Sequence, residues 1–190
     1  TAALRVGWVV LTQGHRPAEL NAAVESIRQQ SLPGDIVVVC NGTDIGLENP
    51  DGIDVLSMPH NIGVPAGRDL GIRHLDADVV FFLDDDARLC DQLVTQRVVE
   101  RMRDDPELAV VGLRIVDEQG QTLRRHVPRM GHGSPERSGT VTLFPGGACA
   151  IRRDAYLAAG GYPVEFFYGH EELDLAWRLI DHGSRIWYDA

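Results

Sequence analysis

The sequence predicts an α/β domain: a mostly parallel central sheet flanked by helices, with a smaller mixed sheet in its C-terminal half. Three observations carry this. Near-continuous apolar runs recur in the first half ("RVGWVVLT", 5–12; "DIVVVCNG", 35–42; "DVVFFLDDD", 78–86) and alternate with segments of helical spacing. That is the pattern of βαβ units whose strands are covered on both faces. The second half mixes strand and helix patterns without a repeat. The length of 190 residues suits one domain, and no linker interrupts it.

Taken in order, 5–12 reads as a buried strand and 13–17 as a loop, with Pro17 suited to the first position of a helix. Leu20, Ala23, Val24 and Ile27 then fall at helical intervals, and "SLPG" at 31–34 ends that helix. A second strand spans 35–42 and a weaker third 53–59. Residues 60–75 start as a glycine-rich loop and continue as a short helix from Pro65. The fourth strand covers 78–86. Residues 91–106 predict an amphipathic helix capped by Asp91, with Leu93, Val94, Val98 and Met102 on one face. Residues 108–125 read as two strands around a tight turn at 118–120, and 127–140 as a polar surface loop. Residues 141–162 read as strand, Gly-Gly turn, strand and short helix. Residues 169–183 form an acidic-fronted amphipathic helix, and 184–190 a last strand.

The formal net charge is −10, which disfavours nucleic acid as a partner, because phosphate contacts need clustered Lys and Arg. An acidic chain that handles a phosphate substrate needs a cation as intermediary. Cys40, Cys90 and Cys149 are few, odd in number and widely spaced. They form no zinc spacing or disulfide framework, and a reducing compartment fits them. No apolar run reaches eighteen residues, so no transmembrane segment is expected. The first residues do not read as a signal peptide.

Three stretches carry chemistry. In "VVFFLDDDARL" (79–89) five apolar residues run into Asp84, Asp85 and Asp86. Ligands of open α/β sheets bind at the carboxyl ends of strands, and paired carboxylates there suit Mg²⁺ or Mn²⁺. An aspartate-rich turn accounts for the stretch equally well. In "NIGVPAGRDLGI" (61–72), Gly63 and Gly67 allow close backbone approach and Arg68 can pair with a diphosphate oxygen. Taken alone, it reads more simply as an ordinary loop and helix. It is not a phosphate loop of the G-x-x-x-x-G-K-[ST] type, and no G-x-G-x-x-G follows the first strand. In "FFYGHEELDLAWRL" (166–179), Glu171, Glu172 and Asp174 occupy the first turn of a helix. The helix dipole alone favours carboxylates there, but with His170 and the adjacent aromatics they also make an acceptor site with a general base.

In combination these stretches resemble the family 2 glycosyltransferases of GT-A fold, over nearly the whole chain. "LTQGHRP" is similar to that family's opening nucleotide-binding segment, and "HNIGVPAGRDLG" to its N-x-G-x-x-x-A-R-N-x-G stretch, with Gly67 and Asp69 in place of the usual Ala and Asn. "FLDDDARL" carries an Asp-x-Asp signature as Asp84 and Asp86. "FPGGACAIRRDAYLAAGGY" resembles the segment lining the donor sugar, and "FFYGHEELDLAWRL" a G-E-D-x-D-L motif with Glu172 where the base is usually Asp.

The resemblance implies a nucleotide-binding half (1–90) and a donor-sugar and acceptor half (91–190) of one domain. It implies an inverting transfer from a nucleotide-diphosphate sugar to an acceptor hydroxyl on a glycan, lipid or small molecule. Asp86 would hold Mg²⁺ or Mn²⁺, with Asp84 on the ribose or the metal and Asp85 able to do either. Thr12, Gln13, Arg16 and Asn41 would form the base and ribose pocket. Arg68 would contact the diphosphate, and Gly146 and Gly147 would give the sugar room. Glu172 would deprotonate the acceptor, and Asp174 would help hold donor or acceptor. Family members normally continue past "WYDA", with a histidine that completes the metal site. His170 and His182 are candidates for that role, although turn or solvent positions suit both. A cytoplasmic location is expected, peripheral to the inner membrane face if the acceptor is a lipid, and a homodimer is left open. A nucleotidyltransferase acting at the α-phosphate and an inactive nucleotide-binding module are the alternatives.

Overall fold

The computed structural model describes residues 3–42, 52–128 and 133–190. Its parallel part is built around β1 (Val6–Thr12), which pairs in parallel with β2 (Asp35–Asn41) on one side and β4 (Val79–Asp84) on the other. β3 (Ile53–Met58) extends the parallel set beyond β2. The C-terminal strands are β5 (Leu108–Leu113), β6 (Gly139–Val141), β7 (Ala148–Arg152) and β8 (Arg185–Asp189). They join the same sheet, in the order β3-β2-β1-β4-β7-β5-β8-β6 among the described residues. β7 runs antiparallel between β4 and β5, so the mixed part is a continuation of the parallel part.

The apolar runs are continuous because alternate residues feed two cores. Val9, Val37, Val39, Val80 and Phe82 pack on one face, against α2 (Val64–His74), α4 (Arg153–Ala158) and α5 (Glu171–Asp181). Trp8, Val10, Val38, Phe81 and Leu83 pack on the other, against α1 (Pro17–Arg28) and α3 (Val94–Asp104). α1 opens on Pro17 and buries Leu20, Ala23, Val24 and Ile27, the four positions read from its spacing.

Two expectations are corrected. α3 begins at Val94, three residues late, and Leu93 is 50% exposed. Asp91 does not cap it: its Oδ1 accepts from Leu93 N at 2.7 Å and so closes a local turn ahead of the helix. The cap comes from α1's end, where the buried Gln30 Oε1 accepts from Thr95 N and Thr95 Oγ1, each at 3.1 Å. The second strand expected before residue 125 is also absent. Asp117 closes a turn through its Oδ1 to Gln119 N and Gln121 N, and the chain then makes a 3-10 turn at Arg124–His126. Both edges of β5 are already taken by β7 and β8, so a returning strand has no partner there. Part of the 127–140 loop, at 129–132, lies outside the described residues. Among the described residues no helix is long and apolar enough to cross a membrane.

Candidate active site

The chain leaves β1 toward β2 on one side and later returns to β4 on the other. At such a reversal the loops diverge and a cleft opens at the carboxyl ends of the strands. Here it measures about 740 Å³. Thr12, Gln13, Arg16 and Asn41 reach it from β1 and β2, and Arg68 from α2. Asp84, Asp85 and Asp86 come from the exit of β4, Gly146 and Gly147 from the turn before β7, and Glu172 from α5.

The three aspartates are not equivalent. Asp85 has a side chain only 8% exposed, against 53% for Asp84 and 47% for Asp86. Thr12 Oγ1 donates to Asp85 Oδ2 at 2.6 Å and itself accepts from Gly14 N at 3.0 Å. Arg16 Nη2 donates to Asp85 Oδ1 at 2.7 Å, and Arg16 Nη1 pairs with Asp86. Asp85 therefore ties β4 to β1, while Asp84 and Asp86 present their carboxylates to the cleft.

Arg68 is buried and bridges two walls. Its Nη2 donates to Asp84 Oδ1 at 3.1 Å, its Nη1 donates to Glu172 Oε1 at 2.9 Å, and Glu171 Oε1 is 3.6 Å away. Burial opposes its charge, but the surrounding groups, Asp84 and Glu172 among them, hold its pKa above the usual guanidinium value. Burial pushes the Glu172 carboxyl up; Arg68 opposes this and Glu171 adds to it. The two glycines are required by contact. A Cβ on Gly146 would land on Glu172 Oε1 and Arg68 Nη1, and one on Gly147 would land on the Asp84 carboxylate.

Two predicted residues are placed differently from the rest. Asn41 lines the cleft but is buried, with its amide engaged: Nδ2 donates to Asn61 Oδ1 at 2.9 Å and to Gly63 O at 3.1 Å, and Oδ1 accepts from Ile62 N at 2.8 Å. It clamps the glycine loop to the end of β2. Asp174 does not join the cleft. It faces a second cavity of about 590 Å³ beside Asp69 and Arg73, and its Oδ2 accepts from Arg178 Nε at 2.9 Å. Residues 172 and 174 are about 200° apart around a helix, so one cleft cannot take both.

Sequence reasoning grouped Glu171 with the acceptor-site carboxylates but gave it no role of its own. It lines the cleft at 2% exposure, and its Oε2 has no hydrogen-bond partner. Arg125 and His126 also line the cleft, from the 3-10 turn. Arg125 was expected to end a strand and His126 was assigned to no element, and no local signal marks them. Burial and Arg125 lower the His126 pKa, against Asp84.

Among the described residues no group of three His, Cys, Asp or Glu side chains forms a metal cage. Asp84 and Asp86 nevertheless suit Mg²⁺ or Mn²⁺, which often take one or two carboxylates and complete their shell with substrate phosphates and water. Five carboxylates against three guanidinia leave the charged lining two units negative, the balance a divalent cation neutralises.

Residues 9–158 match the profile described as Glycosyl transferase family 2. The chain is 30% identical over 176 residues to a pre-mycofactocin glycosyltransferase of Mycobacterium tuberculosis, covering 81% of this chain and 35% of that protein. It therefore spans about a third of that relative's length. The fold is similar to that of GalNAc-T7 solved with UDP, GalNAc and Mn²⁺ (TM-score 0.76, 15% identity, 98% of this chain and 42% of the other). It is also similar to that of the mannosyltransferase PcManGT of Pyrobaculum calidifontis solved with GDP-Man and Mn²⁺ (TM-score 0.75, 18% identity, 100% of this chain and 58% of the other).

Proposed function

The chain belongs to glycosyl transferase family 2, and from that premise we propose that it transfers a sugar from a nucleotide-diphosphate donor to an acceptor hydroxyl with inversion at the anomeric carbon. Asp84 and Asp86 hold Mg²⁺ or Mn²⁺; when bound, the ion supplies positive charge that stabilises the leaving diphosphate. Arg68 adds a fixed guanidinium beside that diphosphate. Glu172 takes the acceptor proton as the hydroxyl oxygen attacks and the bond to the diphosphate breaks. Thr12, Gln13 and Arg16 border the nucleoside, and the bare backbone of Gly146 and Gly147 leaves space for the sugar. Asp174, which faces the second cavity and pairs with Arg178, takes no part in this step. The donor class is supported by the GDP-Man held by PcManGT and by the UDP and GalNAc held by GalNAc-T7.

The observation that carries this reading is the bridge of Arg68 from Asp84 to Glu172. One guanidinium spans a metal carboxylate and a carboxylate whose pKa burial has raised, so leaving-group and base chemistry sit within one side chain's width.

The test is calorimetric titration with UDP, GDP and dTDP, each with and without Mn²⁺, on the wild type and Asp86→Ala. Metal-dependent binding of one nucleotide, lost in Asp86→Ala, is expected. Metal-independent binding, or binding that Asp86→Ala leaves intact, overturns the metal assignment.

A further inference from the structure

Arg16 stands just before α1 and reaches across to the exit of β4, some seventy residues along the chain. Sequence resemblance assigns it to the nucleoside pocket, yet its guanidinium is engaged by Asp85 at 2.7 Å and by Asp86. The two cationic residues on the aspartates differ in their hold. Arg68 is buried and meets carboxylates from two walls, so removing it would strand buried charge. Arg16 has a side chain 49% exposed. Asp85 keeps Thr12 as a partner without it, and Asp86 faces solvent. Arg16 is thus the cation that can leave Asp86 at little structural cost.

We propose that Arg16 is a positioning residue that competes with the divalent cation for Asp86, so that metal is held weakly by the protein alone and tightly once a nucleotide diphosphate is present. This rests on Asp84 and Asp86 being the metal carboxylates. A guanidinium and a divalent ion on neighbouring carboxylate oxygens repel each other. The diphosphate brings the negative charge that lets both cations remain in the cleft. Metal loading is thereby coupled to donor arrival through a side chain that takes no part in bond making.

The experiment is a titration of the nucleotide-free protein with Mn²⁺, reading free Mn²⁺ by its electron paramagnetic resonance signal. The proteins are the wild type, Arg16→Gln, Arg16→Lys, Arg125→Gln and Asp86→Asn, with circular dichroism melts of each. A unit charge and a divalent ion about 6 Å apart in water-like dielectric change an affinity about tenfold. Arg16→Gln is therefore expected to bind Mn²⁺ about tenfold more tightly than the wild type. Arg16→Lys, which keeps the charge but not the two-pronged fork, should tighten by only about twofold to threefold. Arg125→Gln removes a cleft guanidinium whose Nε donates to His126, and is expected to change little. Arg16→Gln that binds no more tightly than the wild type, while Asp86→Asn loses Mn²⁺, overturns the competition. Equal tightening in Arg125→Gln also overturns it, because the effect would then be general to the cleft. Asp86→Asn that binds as the wild type does overturns the metal assignment itself, and the inference with it.

Discussion

Arg68 faces Asp84, Glu171 and Glu172 from a site shielded from water, and Glu171 is as deeply buried as the core residue Leu108. Removing one partner of a buried ion cluster leaves the other charges uncompensated, at about 3–5 kcal/mol. Arg68→Ala is expected to lower unfolding stability by about that amount in urea titrations, with nucleotide binding lost as well. Glu172 has the opposite profile, being partly open and, in the proposed mechanism, the base. Glu172→Gln should cut kcat by roughly 10²–10⁴-fold while leaving the donor dissociation constant unchanged. Burial raises the Glu172 pKa, and a base works only when deprotonated. The acidic limb of kcat/KM should therefore lie above the ordinary glutamate range, with activity falling as pH drops through it. That limb should disappear in Glu172→Gln. Catalysis whose acidic limb sits at the ordinary glutamate value would remove Glu172 from the role of base.

At the scale of elements, the site depends on joints between segments far apart in the chain. Gln30, at the end of α1, supplies the missing acceptor for the first turn of α3 and donates to Asp91 O at 2.8 Å. Gln30→Ala should lower stability by about 1 kcal/mol, the usual effect of losing a helix cap, with the urea m-value unchanged. The turn before β7 is the tighter joint. Gly147 O accepts from Asp84 N at 2.9 Å, and the glycine leaves no room for a side chain beside the Asp84 carboxylate. Gly147→Ala is expected to weaken Mn²⁺-dependent nucleotide binding by more than about tenfold, because the added methyl displaces a carboxylate. A variant that folds and binds with wild-type affinity would show that Asp84 is dispensable. The loop before α5 is held similarly. Phe167 has φ +61°, and its carbonyl accepts from Val64 N at 2.8 Å. A non-glycine residue in that region is costly, and the contact to α2 keeps it there, fixing the approach of α5 to the cleft.

Over the whole molecule, the insertion of β7 between β4 and β5 makes the two halves one sheet. β4 buries Phe81, Phe82 and Leu83 beneath elements drawn from both halves. Residues 1–90 expressed alone would expose the edge of β4 that β7 covers, together with apolar surface normally under α3, α4 and α5. That fragment is expected to aggregate on size exclusion and to melt without a cooperative transition. The 190-residue chain should unfold as one unit, with circular dichroism and tryptophan fluorescence coincident. A cooperatively folded 1–90 fragment would show that the halves are separate domains.

The sequence by itself determined what local periodicity and local chemistry can encode: the buried parallel strands, the buried face of α1, the three aspartates at a strand exit, and the carboxylates that open α5. Strand alternation and the 3.6-residue turn are written in neighbouring residues. Glu172 and Asp174 were expected to serve one site, and the structure separates them, as a two-residue spacing of about 200° around a helix requires. Only the tertiary structure decided the order of the C-terminal strands and the absence of a return strand after β5, since an edge is available or taken according to the whole sheet. It also decided that Asp85 is the buried aspartate, that Arg16 reaches Asp85 and Asp86, and that Arg68 joins Asp84 to Glu172. Each of these contacts is made between residues 16 to 104 positions apart. Which charges meet, and how much water surrounds them, is set by packing across the sheet, which leaves no mark on the local pattern.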